Sequence, residues 1–414
     1  MKSFLFLSSV VLFSTCTPQS LPPTVKMTPV GDLALHLSKV IVPEKYRGEI
    51  SENLSLSLPH GYYAKIFYTG GLSKPRFFAW SPDSILHVAD KSRGEIIALP
   101  DENHDGVADK AIVAASGFRK PHDLKFYNGA MYVAEETQVT KCIDTNGDGI
   151  FEKRSGFITM VTGGQQGGGG HDTRTIVFDS LKKKMYLSIG SLCNACREDS
   201  RAIVEEWNDD GTGRRVFATG CRNAIGMTMR NGKLWATNNG FDWQGDDIPP
   251  EWIDIVRDGG FYGYPYGFAH GMWVDFTKPG GYGALLPLTA TDSVNVRSMI
   301  QPAALVQAHS APMAIEFANS SFPPQFRNGA FVAYRGSWNR NEATGFKVVY
   351  LDFENAADTT ANSVTDFVGG FLTGSSGRSA WGRPVGLETD MRGNLYISSD
   401  DITECIIVVS PVKK

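Results

Sequence analysis

The chain lacks what several large classes of protein require. Across its 414 residues there is no GxSxG run, so the strained serine turn of an α/β-hydrolase has no support. The glycine tract GGQQGGGGH (163–171) lacks the GK[ST] ending of a phosphate loop. RTIVF, just after it, is strand-like rather than helical, which also removes a nicotinamide fingerprint. Formal net charge is −4, so the basic footprint of a nucleic-acid binder is missing. The six cysteines include one CxxC pair, Cys193 and Cys196. A four-cysteine zinc site needs a second pair, and a c-type haem needs histidine where Arg197 stands. Long helical patterns are scarce, and beyond the N-terminus no run is long and apolar enough to cross a bilayer.

What is present begins with MKSFLFLSSVVLFSTC. Lys2 and the apolar run 4–13 read as an export signal, too short to span a membrane. Cys16, directly after it, resembles the lipid-attachment cysteine of a bacterial lipoprotein, followed by an N-terminal tether and extension, residues 17–52, of which TPQSLPPTVKMTP is the polar, Pro-rich tether. The expected location is therefore exported, periplasmic or anchored at the outer membrane. Export permits disulfides, and a local Cys193–Cys196 bond pinning a loop is expected. Cys142, Cys221 and Cys405 then leave an odd number.

Glycine is abundant at 44 residues, with 24 Phe, 14 Tyr and 8 Trp, which suits many turns and strands. Six short strands share one pattern: LHVAD, MYVAE, MYLSI, LWATN, AFVAY and LYISS. Another apolar strand precedes each: RFFAW, HDLKF, RTIVF, AIGMTM, MAIEF and VGLET. Turns such as YNG and RNG between them are hairpin signals. The first spacings between core aromatic positions, His87 to Tyr132 to Tyr186 to Trp235, are 45, 54 and 49 residues. Periods of that size fit propeller blades. The expected fold is all-β, a six-bladed β-propeller over 53–412 with an insertion at about 241–308. GYYAKIFYT (61–69) is expected to close the ring on the last blade.

In such a fold the loops leading into the inner strands line one mouth of the channel. Those loops hold Pro121-His122-Asp123, His171-Asp172, Arg222-Asn223, His309-Ser310 and Gly382-Arg383. Polar groups that differ from blade to blade at one mouth mark a site. Separately, DENHDGVAD and DTNGDGIFE share a spacing of oxygen ligands. Asp101, Asn103, Asp105 and Asp109, and Asp144, Asn146, Asp148 and Glu152, are candidate calcium ligands with a structural role. Neither turn has the twelfth-position glutamate of an EF-hand.

The runs HDTRTIVFDSLKKKMYLSIGS, GCRNAIGM, LWATNNGFDWQGDDIPPEW, YGYP, HSAPMAIEF, FVAYRGSWNR and GRPVGL occur in order. Together they resemble the soluble sugar dehydrogenases that depend on pyrroloquinoline quinone (PQQ), in the sorbosone dehydrogenase-like branch, over roughly residues 55 to 410. The resemblance implies PQQ and Ca²⁺ as cofactors. It makes His171 the general base, suited by an ordinary pKa near working pH. Arg222 would stabilise the oxyanion that develops on the quinone, and Asn223 would contact the cofactor. Backbone carbonyls of Gly240 and Phe241 would hold calcium, a Lewis acid there. Arg383 would pair with a cofactor carboxylate, with Arg335, Arg340 and Lys347 as further cations and His122 as a polar neighbour. Val385 stands where sugar-oxidising relatives carry a second arginine, and Asp172 receives no role.

The expected reaction is oxidation of an aldose or sorbosone-like sugar aldehyde to a lactone or acid. Electrons would leave to a separate acceptor, a cytochrome or the quinone pool, because the chain has no haem motif. Two other readings stay open. One is a calcium-dependent lactonase, which wants a carboxylate-rich channel. The other is a non-catalytic sugar-binding lipoprotein.

Overall fold

A computed structural model describes residues 25–159 and 170–412. The signal segment, Cys16 and the glycines 167–169 lie outside the described residues. Six antiparallel sheets follow one another in sequence order. Their first strands are Pro75–Trp80, Asp123–Tyr127, Arg174–Asp179, Ala224–Arg230, Pro312–Phe317 and Pro384–Thr389. Each of these neighbours the next around a ring, and the last meets the first. They are the strands expected to be innermost, and the fold is the expected propeller. Strand Tyr62–Thr69 pairs with Cys405–Pro411 as the outer strand of blade six, closing the ring as expected.

Local chemistry sets the hairpins. Asn128-Gly129 and Asn231-Gly232 both take positive φ, at 47° and 74° and at 51° and 70°. That is the two-residue turn whose twist matches paired strands. The second RNG differs: the connection 318–329 is longer and contains a 3₁₀ turn, Pro324–Phe326.

Blades adhere through aromatics on their second strands. His87 meets Phe126, Tyr132 meets Phe178, Trp235 meets Phe317, and Tyr396 meets Trp80 of blade one. Ring centroids lie 4.9–5.4 Å apart, a range worth about 0.5–1.5 kcal/mol per pair beyond area burial. Inner strands approach closely as well. A Cβ on Gly226 would sit 2.0 Å from the Met313 carbonyl, and one on Gly386 would sit 2.2 Å from that of Arg76.

Two departures concern the flanks. The expected N-terminal extension contains strand Leu35–Lys39, paired with Ser55–Pro59, and a bridge from Val30 to Val364. The region 241–308 contains two strands of blade four, Glu251–Val256 and Ala304–Val306. Between those strands the chain adds Gly260–Phe261 to the edge of blade three and forms the helix Ala290–Ser298.

Antiparallel order fixes which loops share a face. The loop leading into strand one and the loop joining strands two and three emerge on the same side of every blade. In blades one, four, five and six the register shifts just after the inner strand begins, at Pro75/Phe78, Ala224/Gly226, Pro312/Ile315 and Pro384/Leu387. Such bulges re-aim side chains. In three of these blades a residue skipped by the shift, Arg76, Ile225 or Met313, lines the cavity described next.

Candidate active site

The shared face holds a cavity of about 350 Å³ at the channel mouth. A cavity of about 470 Å³ occupies the opposite mouth, but the face described here gathers more charge. Lys74, Arg76, Lys91, Arg222 and Arg335 line it, with Asp172, Asp242, Glu251 and Asp400.

His171 heads the inner strand of blade three. Its N–H bonds the Ser191 carbonyl at 3.0 Å, and its own carbonyl accepts from Arg174 at 2.9 Å and Arg201 at 2.8 Å. The ring Nδ1 lies 3.0 Å from both the carbonyl and the hydroxyl of Ser191. A proton on Nδ1 satisfies that carbonyl and leaves Nε2 as the basic lone pair; this tautomer is assigned from the hydrogen bonds. Burial, and then the charge of Arg222, lower the pKa of His171 to about 3. The imidazole is therefore neutral near pH 7, but it is a weaker base than the ordinary histidine expected from the sequence. Gly170, at φ +57°, packs tightly on Leu192, where a Cβ would meet the Leu192 carbonyl at 2.2 Å.

Arg222 heads blade four and is 5% exposed. Its Nε donates to the Asn194 carbonyl at 3.1 Å. Its Nη2 donates to Asn194 Oδ1 at 3.0 Å and Asp242 Oδ2 at 2.9 Å. One Nη1 proton reaches toward the Asn239 carbonyl at 3.5 Å. A guanidinium has five N–H groups, so one remains for the cavity. Asn223 bonds Asn239 Oδ1 at 3.2 Å.

The expected cations divide. Arg335 lines the cavity and pairs with Asp400 at 2.8 Å and Asp401 at 3.2 Å. Arg383 sits behind it, donating to the carbonyls of Arg335, Gly336 and Ser337 and stacking on Phe346. Arg340 bonds the Asp246 carbonyl and pairs with Asp247 at 2.9 Å in an adjoining depression. Lys347 is a correction: it pairs with Asp366 of the neighbouring strand at 2.7 Å and does not line the cavity. His122 is a second correction to direct contact, being fully buried beneath Arg76, whose Nε donates to its Nδ1 at 3.0 Å. Burial and the nearby cations hold His122 neutral.

Lys74 and Arg76 are not among the expected residues, although Lys74 directly precedes the inner strand of blade one and Arg76 is its second residue. Among the described residues Lys74 has no ion pair. Arg76 pairs with buried Asp400. Asp172 bridges Lys91 at 2.7 Å and Lys120 at 3.1 Å. Burial opposes its charge, but those two lysines outweigh it and hold its pKa at about 2. Glu251 accepts from the Gly240 N–H, and burial raises its pKa to about 8. The carbonyls of Gly240 and Phe241 accept no hydrogen bond among the described residues.

The acidic turns join strands three and four, on the face opposite the cavity. Asp144, Asp148 and Glu152 bring carboxylate oxygens within 4.8 Å of one another, while Asn146 donates to Asp148. In the other turn, Asp101 caps the N–H groups of Asp105 and Gly106, Asn103 accepts from Asp105, and Asp109 accepts from Glu102. Cys193 and Cys196 are bonded, and Cys142, Cys221 and Cys405 are buried free thiols.

Residues 56–411 match the family model TrAA12-like. A PQQ-dependent pyranose dehydrogenase of Coprinopsis cinerea is 24% identical over 396 residues. That alignment covers 82% of this chain and 52% of the relative, so this chain spans about half its length. The holo PQQ domain of pyranose dehydrogenase from Coprinopsis cinerea superposes with a TM-score of 0.70 at 20% identity, covering 90% of this chain and 98% of that one. A calcium structure of the family AA12 protein from Trichoderma reesei gives 0.69 at 20% identity, covering 86% and 96%. Motif order, blade count and family match agree: the chain belongs to the TrAA12-like family, within the PQQ sugar dehydrogenase group its motifs resemble.

Proposed function

We propose that the protein is a quinoprotein dehydrogenase that oxidises a pyranose or related sugar aldehyde to a lactone or acid. The observation that carries this reading is one cavity holding a neutral His171 and Arg222 with a spare N–H, ringed by cations. The donor set fits a flat tricarboxylate. Lys74 lacks an anionic partner among the described residues, and Arg76 and Arg335 share one carboxylate, Asp400. PQQ, when bound, supplies a ring carbonyl that accepts a hydride. Lys74, Arg76 and Arg335 would hold its carboxylates, with Asn223 beside it.

His171 Nε2 takes the proton from the substrate hydroxyl, while Ser191 fixes the opposite edge of the ring. Arg222 would direct its remaining N–H at the oxygen where negative charge grows. The free carbonyls of Gly240 and Phe241, with Asp242 and Glu251 nearby, suit a hard cation such as calcium. Asp144, Asp148 and Glu152 would hold a second calcium ion with a structural role. At the rim, Trp243 and Trp338 meet edge to face at 5.3 Å and 86°, leaving aromatic surface for a sugar ring.

A lactonase is less well supported, because Asp172, Asp242 and Asp400 are all tied to lysine or arginine. Electrons would pass to a separate acceptor, a cytochrome or a membrane quinone. An export signal with a lipid anchor at Cys16 would place the reaction outside the cytoplasm. The test is dye reduction by purified protein with PQQ and calcium over a panel of sugars. PQQ-dependent turnover is expected, and its absence across the panel would refute the reading.

A further inference from the structure

The loop joining strands two and three of blade three, residues 190–202, touches both catalytic groups. Ser191, fully buried, donates its N–H to the Arg222 carbonyl at 2.7 Å and receives that of His171 at 3.0 Å. Its hydroxyl donates to the Cys193 carbonyl at 2.8 Å. The next part of the loop is closed by the Cys193–Cys196 bond, three residues apart in sequence. Glu198 ties down its start, accepting from the Leu192 N–H at 2.9 Å and the Tyr264 hydroxyl at 2.7 Å.

Inside this small ring stands Asn194. Two of its oxygens, the carbonyl and Oδ1, take two of the Arg222 N–H groups, at 3.1 and 3.0 Å. The same Oδ1 accepts from the Asp242 N–H at 2.8 Å. Its amide nitrogen donates in the other direction, to the Gly280 carbonyl and the Tyr282 hydroxyl, both at 3.1 Å. Asn194 thus joins blade three, the turn 239–242 and the insertion, with the guanidinium between them.

We propose that Asn194 is a positioning residue for Arg222, and that the Cys193–Cys196 ring exists to present it. The inference rests on the dehydrogenase reading for its kinetic consequence, but its structural content concerns Arg222 alone. A guanidinium on a flexible stem has many orientations. Fixing Nε and one Nη2 proton from a single rigid residue aims the Nη1 edge at the cavity. Asp242 alone, a single ion-pair contact at 2.9 Å, leaves rotation about that contact open. An asparagine suits the place because its oxygen serves Arg222 while its nitrogen serves the insertion.

The two functions of Asn194 can be separated by substitution. Asn194→Asp keeps the oxygen facing Arg222 and loses the donors to Gly280 and Tyr282. Asn194→Ala loses both side-chain functions and keeps only the backbone carbonyl contact with Arg222 Nε. The first measurement uses protein without PQQ: the rate at which an arginine-directed dicarbonyl modifies Arg222, read by peptide mass spectrometry. Asn194→Ala should speed this labelling, the Cys193→Ser/Cys196→Ser pair should speed it less, and Asn194→Asp should stay close to the parent. The second measurement is kcat against PQQ affinity. Asn194→Ala should lower kcat by about 10²-fold, the scale of a misaimed catalytic group, with PQQ affinity nearly unchanged and Asn194→Asp recovering part of the loss. Equal losses in Asn194→Asp and Asn194→Ala would make the residue a brace for the insertion only and overturn the proposal. Unchanged labelling in folded Asn194→Ala would overturn it as well. If the parent shows no turnover with PQQ, the dehydrogenase reading fails, and the labelling series still decides the role of Asn194.

Discussion

Replacing Asp400 by Asn should weaken the fold and yet favour the cofactor. Asp400 is 1% exposed and faces both Arg76 and Arg335. Its pKa is lowered: burial opposes its charge, but Arg76 and Arg335 overcome that. Arg335 keeps its ion pair with Asp401 at 3.2 Å after the change, whereas Arg76 keeps its bond to His122 but has no paired carboxylate among the described residues. Most of the cost therefore falls on Arg76, a buried guanidinium that loses its paired carboxylate, at about 3–5 kcal/mol. Unfolding entropy near 2.1 cal/mol/K per residue gives about 0.9 kcal/mol/K for this length, so Tm should fall by about 3–6 °C. The same change removes a negative charge from the cavity wall. For a ligand carboxylate about 6 Å away, at an effective dielectric of about 20, that repulsion amounts to up to about 2–3 kcal/mol. The assay is thermal unfolding with and without PQQ. Asp400→Asn should melt lower than the parent alone, and PQQ should raise its Tm by more than it raises the parent's. A variant that melts like the parent, or gains less from PQQ, would refute the assignment of Arg76 and Arg335 as carboxylate partners.

Further outcomes follow from the same geometry. His171→Gln should retain PQQ binding and lose about 10²-fold or more in turnover in steady-state dye assays, the usual worth of a general base. Lys74→Met should weaken PQQ binding in calorimetry, while Lys347→Met should leave it unchanged, since that lysine is spent on Asp366. A base works when neutral, so activity is lost only as pH falls through its pKa. With the His171 pKa lowered to about 3, kcat/KM should stay flat well below the ordinary histidine value of 6.5, and a half-loss near 6.5 would count against it.

Much of this was legible in the sequence, for a topological reason. Repeated hairpins announce blades, and blades imply that residues before each inner strand share a mouth. His171, Arg222 and Asn223 were found by that rule. Lys74 satisfies it too, before the inner strand of blade one, whereas Arg76 lies inside that strand and is turned to the cavity by the bulge after Pro75. Lys91, Asp242 and Asp400 belong to loops joining strands two and three, which antiparallel order brings to the same face. Lys347 and His122 lie elsewhere for reasons of packing. Lys347 was chosen for its charge, but a strand start on the third strand carries it to a neighbour's aspartate. His122 obeys the rule in sequence, yet the bulge after Pro75 turns Arg76 over it. Asn194 was invisible because its role depends on contacts with Arg222, Asp242 and Gly280, 28, 48 and 86 residues away.

In the proposed function, one cation-lined cavity binds a quinone tricarboxylate beside His171. Calorimetric titration of PQQ, with calcium, into the parent and into Arg335→Met tests it most directly. Saturable binding at one site per chain is expected in the parent, and clearly weaker binding in the variant. Absence of binding in the parent, or equal affinity in both, would contradict it.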